Sequence, residues 1–477
     1  MLKSKTKDLL PETAKTNTHD VMAGTLADYF RLPTDLLGPL ECDEPTGNLG
    51  FFRFGPNMVS YGRCKSGQTA MSRSAKLYDS SKDIRINGDS VQLSLDPAQA
   101  IENLRNERYT AAFSNNGGGK HKSLVGNVYY AVRRYLPDWV RRRLQRMYLR
   151  DWENISFPNW PVDSTVDMLH QQVLLRLMRA KGVRRIPFVW FWPDGARNCL
   201  VMTHDVETSA GRDFSSSLMD LDEAYGFKAS FQVVPESRYE IPNDYVNEIR
   251  QRGFELNIHD FNHDGHLFDD HQEFLRRAAK INQYARNYGA LGFRSAVMYR
   301  NQEWLDALEF SYDMSVPNVA RLDPQRGGCC TVMPYFIRQT LELPLTTTQD
   351  YSMFHILRRY SIDLWKHQLS LLAQNHGLMS FIVHPDYVIE SRARRTYEAL
   401  LDYLRDLVVR EYVWTTLPGE VDRWWRARAK MKVVPKGNEW VIEGPEKERA
   451  RLAFAVQEGE QLVYELEEHA VPLEGKR

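Results

Sequence analysis

The chain of 477 residues sets 62 Lys plus Arg against 62 Asp plus Glu, so no overall field draws it toward nucleic acid, and a neutral or locally charged substrate fits better. Its length exceeds the roughly 250 to 300 residues at which one hydrophobic core stops growing, which argues for more than one unit. Residues Met1 to Ala23 are polar without the apolar run of a secretory signal, and the most apolar later stretch, Ile186 to Trp192, falls far short of the roughly 20 residues that span a bilayer, so a soluble, cytoplasmic protein is expected.

In chain order, a polar tail (1–25) precedes an N-terminal α+β unit (26–190). Short β-type runs at Phe51 to Phe54 and Ser90 to Leu95, broken by Gly, Pro, Asn and Asp, predict a small sheet. A helical pattern covers Ala98 to Arg108, and Ser114-Asn115-Asn116-Gly117-Gly118-Gly119 reads as a loop. Asn127 to Tyr148 is basic, with Arg133, Arg134, Arg141, Arg142, Arg143 and Arg146 among Tyr, Trp, Leu and Val. It reads either as a solvated amphipathic surface or as a docking face for an anionic glycan, a lipid head group or a membrane.

From Cys199 the rhythm becomes β–α. Strand-like Leu200 to Thr203, Ala229 to Val234, Glu255 to Ile258, Leu291 to Arg294, Leu341 to Pro344, Leu378 to Val383 and Tyr412 to Trp414 alternate with helix-like segments near Ser217 to Tyr225, Asp244 to Arg252, Glu273 to Tyr288, Trp304 to Phe310, Ile362 to Asn375 and Thr396 to Glu411. Such alternation predicts a distorted (β/α) barrel of about seven parallel strands over 191–425. The last part (430–477) carries Glu439 to Glu443, Arg451 to Val456 and Gln461 to Glu465. These predict two or three antiparallel strands that complete a sheet with the N-terminal strands, since a lone hairpin is marginal in water. The five cysteines, Cys42, Cys64, Cys199, Cys329 and Cys330, form no CxxC pair and read as reduced thiols, with Cys329 and Cys330 packed beside the Gly327-Gly328 turn.

In a parallel barrel, functional groups gather at the carboxyl ends of strands. The first run is followed by Thr203-His204-Asp205-Val206-Glu207, the third by His259-Asp260-Phe261-Asn262-His263-Asp264-Gly265-His266, the fourth ends in Arg294, and a late run meets His384-Pro385-Asp386. Each offers metal-ligand, acid/base or anion-contact chemistry. With 13 histidines in the chain, a pair four apart means little alone, and its weight comes from four strand ends in sequence each presenting a suitable residue. Asp350, after Leu345 to Gln349, reads as a cleft residue or a helix N-cap. Trp190, Trp192, Tyr299 and Tyr387 are candidate sugar platforms, or packing.

Thr203-His204-Asp205 resembles the Thr-Phe-Asp-Asp first motif of the polysaccharide deacetylase family (NodB homology, carbohydrate esterase family four). Gly253 to His263 is similar to its Gly-x-Glu-x-x-x-His-(Ser/Thr)-x-x-His second motif, Gly292-Phe293-Arg294-Ser295 to its third, Tyr312-Asp313-Met314-Ser315 to the segment before its fourth, and Phe381-Ile382-Val383-His384 to its fifth. The likeness spans roughly residues 199 to 420. It implies Asp205 as general base, His259 and His263 as ligands of a divalent metal, zinc in the first instance, Arg294 as the residue orienting the base, and His384 as general acid. Three positions depart from the pattern. Val206 stands where the second Asp, the usual ligand, is expected; Glu207 is the substitute, with Asp205 or His266 as alternative completions of the set. Asp260 replaces Ser or Thr, and Ala296 replaces Pro.

The resemblance implies metal-dependent deacetylation of an acetylated sugar or glycan, N-acetyl in preference to O-acetyl, on an intermediate of polysaccharide biosynthesis that is lipid-linked or nucleotide-linked. Other readings are an amidohydrolase on a small non-sugar amide and a catalytically silent glycan-binding or scaffolding protein. Peripheral membrane contact is compatible with all three, and the oligomeric state is open.

Overall fold

The run Asn198–Val206 is buried at every position, the mark of a central parallel strand covered on both faces. It is β1 of the main sheet, which continues with β2 (Ala229–Val233), β3 (Glu255–His259), β4 (Gly292–Arg294), β5 (Tyr312–Asp313), β6 (Tyr335–Ile337), β7 (Thr340–Glu342), β8 (Leu378–Val383) and β9 (Val413–Thr415). The strand order is β6-β7-β5-β4-β3-β2-β1-β8, with β9 also on β1. All pairings are parallel except β6 with β7. Where about seven parallel strands were expected there are eight, with an antiparallel edge strand; the extra elements are β5, two residues long, and β6, three, too short for a period-two pattern to register.

The sheet curls into a partly closed barrel. Between β7 and β8 no ladder forms, and hydroxyls bridge the gap. Ser380 Oγ accepts from the Thr346 amide (2.9 Å) and donates to Pro344 O (2.6 Å), while Thr346 Oγ1 donates to Leu378 O (2.7 Å) and Thr347 Oγ1 to Ser380 O (2.7 Å).

The crossover helices obey their local signals. Helix His271–Tyr288 begins at Asp270, whose side chain accepts from the Glu273 amide at 2.9 Å, and stops at Gly289, φ +54°. Both are caps of the expected type. Its buried residues Phe274, Ala278, Ile281, Asn282 and Ala285 share one stripe. The other crossovers are Ser209–Ala224, Asn243–Gln251, Asp363–Gln374 and Ser391–Glu411. The Trp304 to Phe310 segment is instead a 3-10 turn, Gln302–Ala307.

The computed structural model describes residues 18–43, 47–65, 68–113 and 138–467. The loop read at Ser114 to Gly119 and residues 127–137 of the basic stretch lie outside these. Among the described residues no helix is long and apolar enough to cross a membrane. The N-terminal strands Gly50–Arg53 and Ser90–Leu93 form, with the helix Pro97–Arg105 close to expectation. The C-terminal strands Leu452–Glu458 and Gln461–Leu466 complete a sheet with Arg185–Val189 rather than with those N-terminal strands, and Glu439–Glu443 pairs separately with Lys432–Lys436. The reason is chemical: Arg185–Val189 is buried from Ile186 onward and offers an apolar edge. All five cysteines are free thiols. Gly328, φ +135°, must be glycine, because a Cβ there would lie 2.2 Å from Asn318 O.

One cluster of buried apolar side chains runs from Leu26 and Phe52 through Leu200 and Phe231 to Ala455, so the N-terminal segment shares the barrel's core. Polar contacts reinforce it. Glu107 accepts from Arg300 Nε (2.6 Å) and from the Gly328 amide (2.5 Å), with the two side chains 7 % and 1 % exposed. Removing one partner of such a pair strands the other charge. Glu107→Gln is therefore expected to lower unfolding stability by about 3 kcal/mol, read as a drop in the urea midpoint at unchanged slope.

Candidate active site and metal centre

Strand alternation explains the first acidic pair. Side chains two apart on a strand point to the same face, so Asp205 and Glu207 look one way while Val206, fully buried, looks into the packing. A carboxylate at position 206 would point into that packing, whereas Glu207, just past the end of β1, shares the face of Asp205 and has the longer stem.

Asp205 is 3 % exposed and Arg294 2 %. Arg294 Nη1 donates to Asp205 Oδ1 (2.6 Å) and Thr203 Oγ1 (2.7 Å), and its Nε to Met314 O (3.1 Å). Burial alone would raise the Asp205 pKa; the Arg294 guanidinium, with His259 and His384, outweighs it and holds the carboxyl below its ordinary value.

His259 ends β3, and its Nδ1 lies 3.1 Å from the Arg294 carbonyl. A carbonyl only accepts, so Nδ1 carries the hydrogen and Nε2 presents its lone pair. That atom is 3.6 Å from Glu207 Oε1 and 3.8 Å from Asp205 Oδ2. His263 Nε2 is 2.8 Å from Glu207 Oε1. Among the described residues, Glu207, His259 and His263 are the group whose donor atoms all lie within 4.8 Å of one another, and both Nε2 atoms are buried without a hydrogen-bond partner. Two imidazole nitrogens beside a carboxylate are a donor set that fits a divalent cation of borderline softness. Asp205, whose Oδ1 takes the Arg294 bond, is not one of the three. His266 turns away, with a 44 % exposed side chain and Nδ1 2.7 Å from Asp269 Oδ2.

His384 comes directly after β8. Its Nδ1 is 2.6 Å from Asp350 Oδ1, its backbone amide donates to Asp350 Oδ2 (2.7 Å), and its Nε2 is 3.4 Å from Glu207 Oε1. Asp350 is thus a cleft residue, fully buried and gripping His384 at two points, ring and backbone amide. Burial alone would lower the His384 pKa, but the Asp350 and Glu207 carboxylates overcome it and hold the ring well above the usual histidine value. The same imidazoles work on Glu207: against burial, His263 and His384 keep it well below the usual carboxylate range.

Solved polysaccharide deacetylases are among its structural neighbours. A Mycobacterium smegmatis protein assigned as a polysaccharide deacetylase is 15% identical over 53% of this chain and 98% of its own, with a TM-score of 0.42. The allantoinase PuuE is 13% identical over 49% and 92%, TM-score 0.39. The peptidoglycan deacetylase PdaC of Bacillus subtilis is 11% identical over 49% and 93%, TM-score 0.32. Scans with family models and of curated protein sequences give no match. At these identities and scores the neighbours carry no chemistry over to this chain.

One site neighbour, Arg238, escaped the sequence, whereas Asp260 already stands there as a departure from the family pattern. Asp260, φ +60°, accepts from the Phe261 amide (2.5 Å) and the Ala296 amide (3.2 Å), so a carboxylate in place of Ser or Thr ties the β3 loop to the β4 loop. Arg238 Nη2 donates to His263 O (2.6 Å) and lies 3.1 Å from His263 Nδ1; a lone exposed arginine between a strand and a helix gives no pattern to read. Tyr387 stacks on His384, centroids 4.6 Å apart, whereas Trp190 and Trp192 are 2 % and 0 % exposed, their indole N–H groups bonded to Ala196 O and His376 O. They are core, not sugar platforms.

The raised His384 pKa gives a signed prediction. Stability from its pairing with Asp350 is fully present below the unfolded histidine value, about 6.5, and is lost as pH rises through the higher folded value. In metal-free Asp350→Asn, the His384 titration midpoint measured by NMR is expected to fall toward or below about 6.5, and the protein to lose the stability increment the wild type retains just above that pH.

Proposed function

We propose that this protein is a metal-dependent hydrolase that removes an acetyl group, N-acetyl before O-acetyl, from a carbohydrate, acting on an intermediate of polysaccharide assembly. The observation that carries the reading is the meeting, from three strand ends far apart in the chain, of Asp205, Glu207, His259, His263 and His384 within 2.8 to 3.8 Å contacts of one another. Carbohydrate as substrate is supported by the motif resemblance, which runs through the same residues.

In this reading Glu207, His259 and His263 hold the ion, which when bound lowers the pKa of water and polarises an acyl carbonyl. Asp205 stays anionic at neutral pH and takes the proton of the attacking water through Oδ2, since Oδ1 is occupied by Arg294. Water's oxygen joins the acyl carbon, the C–N bond breaks, and the leaving nitrogen receives a proton. His384 supplies it: kept protonated by Asp350, the imidazolium offers Nε2 toward Glu207 and the cleft. Acetate and the free amine leave. Arg294 and Asp350 act through the residues they position.

The experiment is a metal analysis of the purified full chain, paired with an acetate-release screen over acetylated free, nucleotide-linked and lipid-linked sugars. One equivalent of divalent metal is expected, lost in His259→Ala. Asp205→Asn and His384→Ala should each lower kcat by about 10²–10⁴-fold while Asp205→Asn retains metal. A protein that binds no metal and releases no acetate from any of these sugars overturns the reading.

A further prediction concerns affinity. A guanidinium only donates, so the Arg238 contact favours the His263 tautomer with its hydrogen on Nε2, the atom the ion needs. Arg238→Gln, whose amide oxygen can accept from Nδ1–H, is expected to tighten zinc binding by about tenfold in a chelator competition.

A further inference from the structure

The helix Asp138–Leu149 plays no part in the chemistry above. Its 12 residues, DWVRRRLQRMYL, hold four arginines and one aspartate, a local positive excess in a chain whose charges cancel over its whole length. Leu144, Met147 and Tyr148 are 38 %, 57 % and 62 % exposed. Spaced by three and four residues, they share one outward stripe. Arg143 is exposed beside them, and the Arg326 guanidinium sits 5.7 Å from the Tyr148 ring and donates to its carbonyl. The opposite side faces the protein. Leu149 is buried, and Gln145 accepts from the Tyr351 hydroxyl.

That inward contact fixes where the helix lies. The Tyr351 ring is 6.1 Å from Tyr387, which stacks on His384. The helix therefore stands at the rim of the cleft, its apolar stripe turned outward. Three large apolar groups side by side in water are costly unless something covers them. A partner protein would need only a matching apolar patch, whereas exposed apolar groups flanked by guanidinium groups, Arg143 on the helix and Arg326 against Tyr148, match surfaces that lie in the head-group plane of a bilayer.

We propose that Asp138–Leu149 docks on an anionic phospholipid surface, with Leu144, Met147 and Tyr148 entering the head-group region and Arg143, with Arg326 beside Tyr148, drawn to phosphates. Docking in this way turns the His384 side of the cleft toward the bilayer, where an acylated sugar carried on a lipid would be presented. That last consequence rests on the proposed function; the docking does not.

The test is sedimentation of the full chain with phosphatidylcholine vesicles, with and without phosphatidylglycerol. Binding is expected only to the anionic vesicles, weakening as salt is raised. Leu144→Glu with Met147→Glu should reduce the bound fraction at least tenfold at unchanged acetate release from a soluble sugar, while Val409→Glu, on a helix remote in sequence and 82 % exposed, leaves binding intact. No binding to anionic vesicles, binding indifferent to the Leu144/Met147 pair, or equal loss in Val409→Glu each overturns the docking face. Absence of acetate release with vesicle binding preserved defeats only the catalytic reading.

Discussion

Taking a carboxylate out of water is costly unless a cation or hydrogen bonds compensate it, and Arg294 is the cation on which this site is built. Its side chain leaves β4, binds Asp205 and Thr203 on β1 and reaches Met314 beyond β5. Its carbonyl receives His259 Nδ1 and the Asp260 amide from the end of β3. One residue thus sets the ionisation of Asp205, the tautomer of an imidazole and the spacing of neighbouring strand ends. The alternating charges around it, carboxylate, guanidinium, imidazole and carboxylate again, compensate one another in a volume with little access to water.

Beneath the cleft a second polar group has been built into the core. Histidine stands at 204, where the family motif has Phe, and is fully buried. Its Nδ1 meets Val383 O at 3.1 Å and its Nε2 meets Asp222 at 2.8 Å, while Tyr397 donates to the other Asp222 oxygen at 2.6 Å. Every polar atom of this cluster is matched, which is the condition for tolerating it. It couples β1 and the end of β8 to two crossover helices, directly behind Asp205 and His384.

Much of this architecture is legible in the sequence because parallel strands buried on both faces are written as apolar runs, and the polar residues that close each run sit at the functional rim. Asp205, His259, His263, Arg294 and His384 all stand at such ends. Asp350 keeps two readings in sequence because its partner lies 34 residues away, beyond any local pattern. Which side chain gathers with His259 and His263 is not written in the sequence either; only distances set Glu207 beside them and His266 apart. The pairing of the C-terminal strands escapes because sequence shows that a strand wants an edge, not which edge is bare. β5 and β6 leave no signal at all: two or three residues cannot display a period.

The placement of Val206 between two acids has a consequence for how such a site can change. Position 206 answers to the packing behind the sheet, and position 207 to the charge in front of it, so the two respond to different pressures. A lineage could lengthen, shorten or neutralise the acid at 207, changing what faces His259, His263 and His384, while the packing at 206 stays as it is. Conversely, the interior could be repacked at 206 with the charged cleft untouched. Chemistry and architecture meet here on adjacent residues and remain separately adjustable.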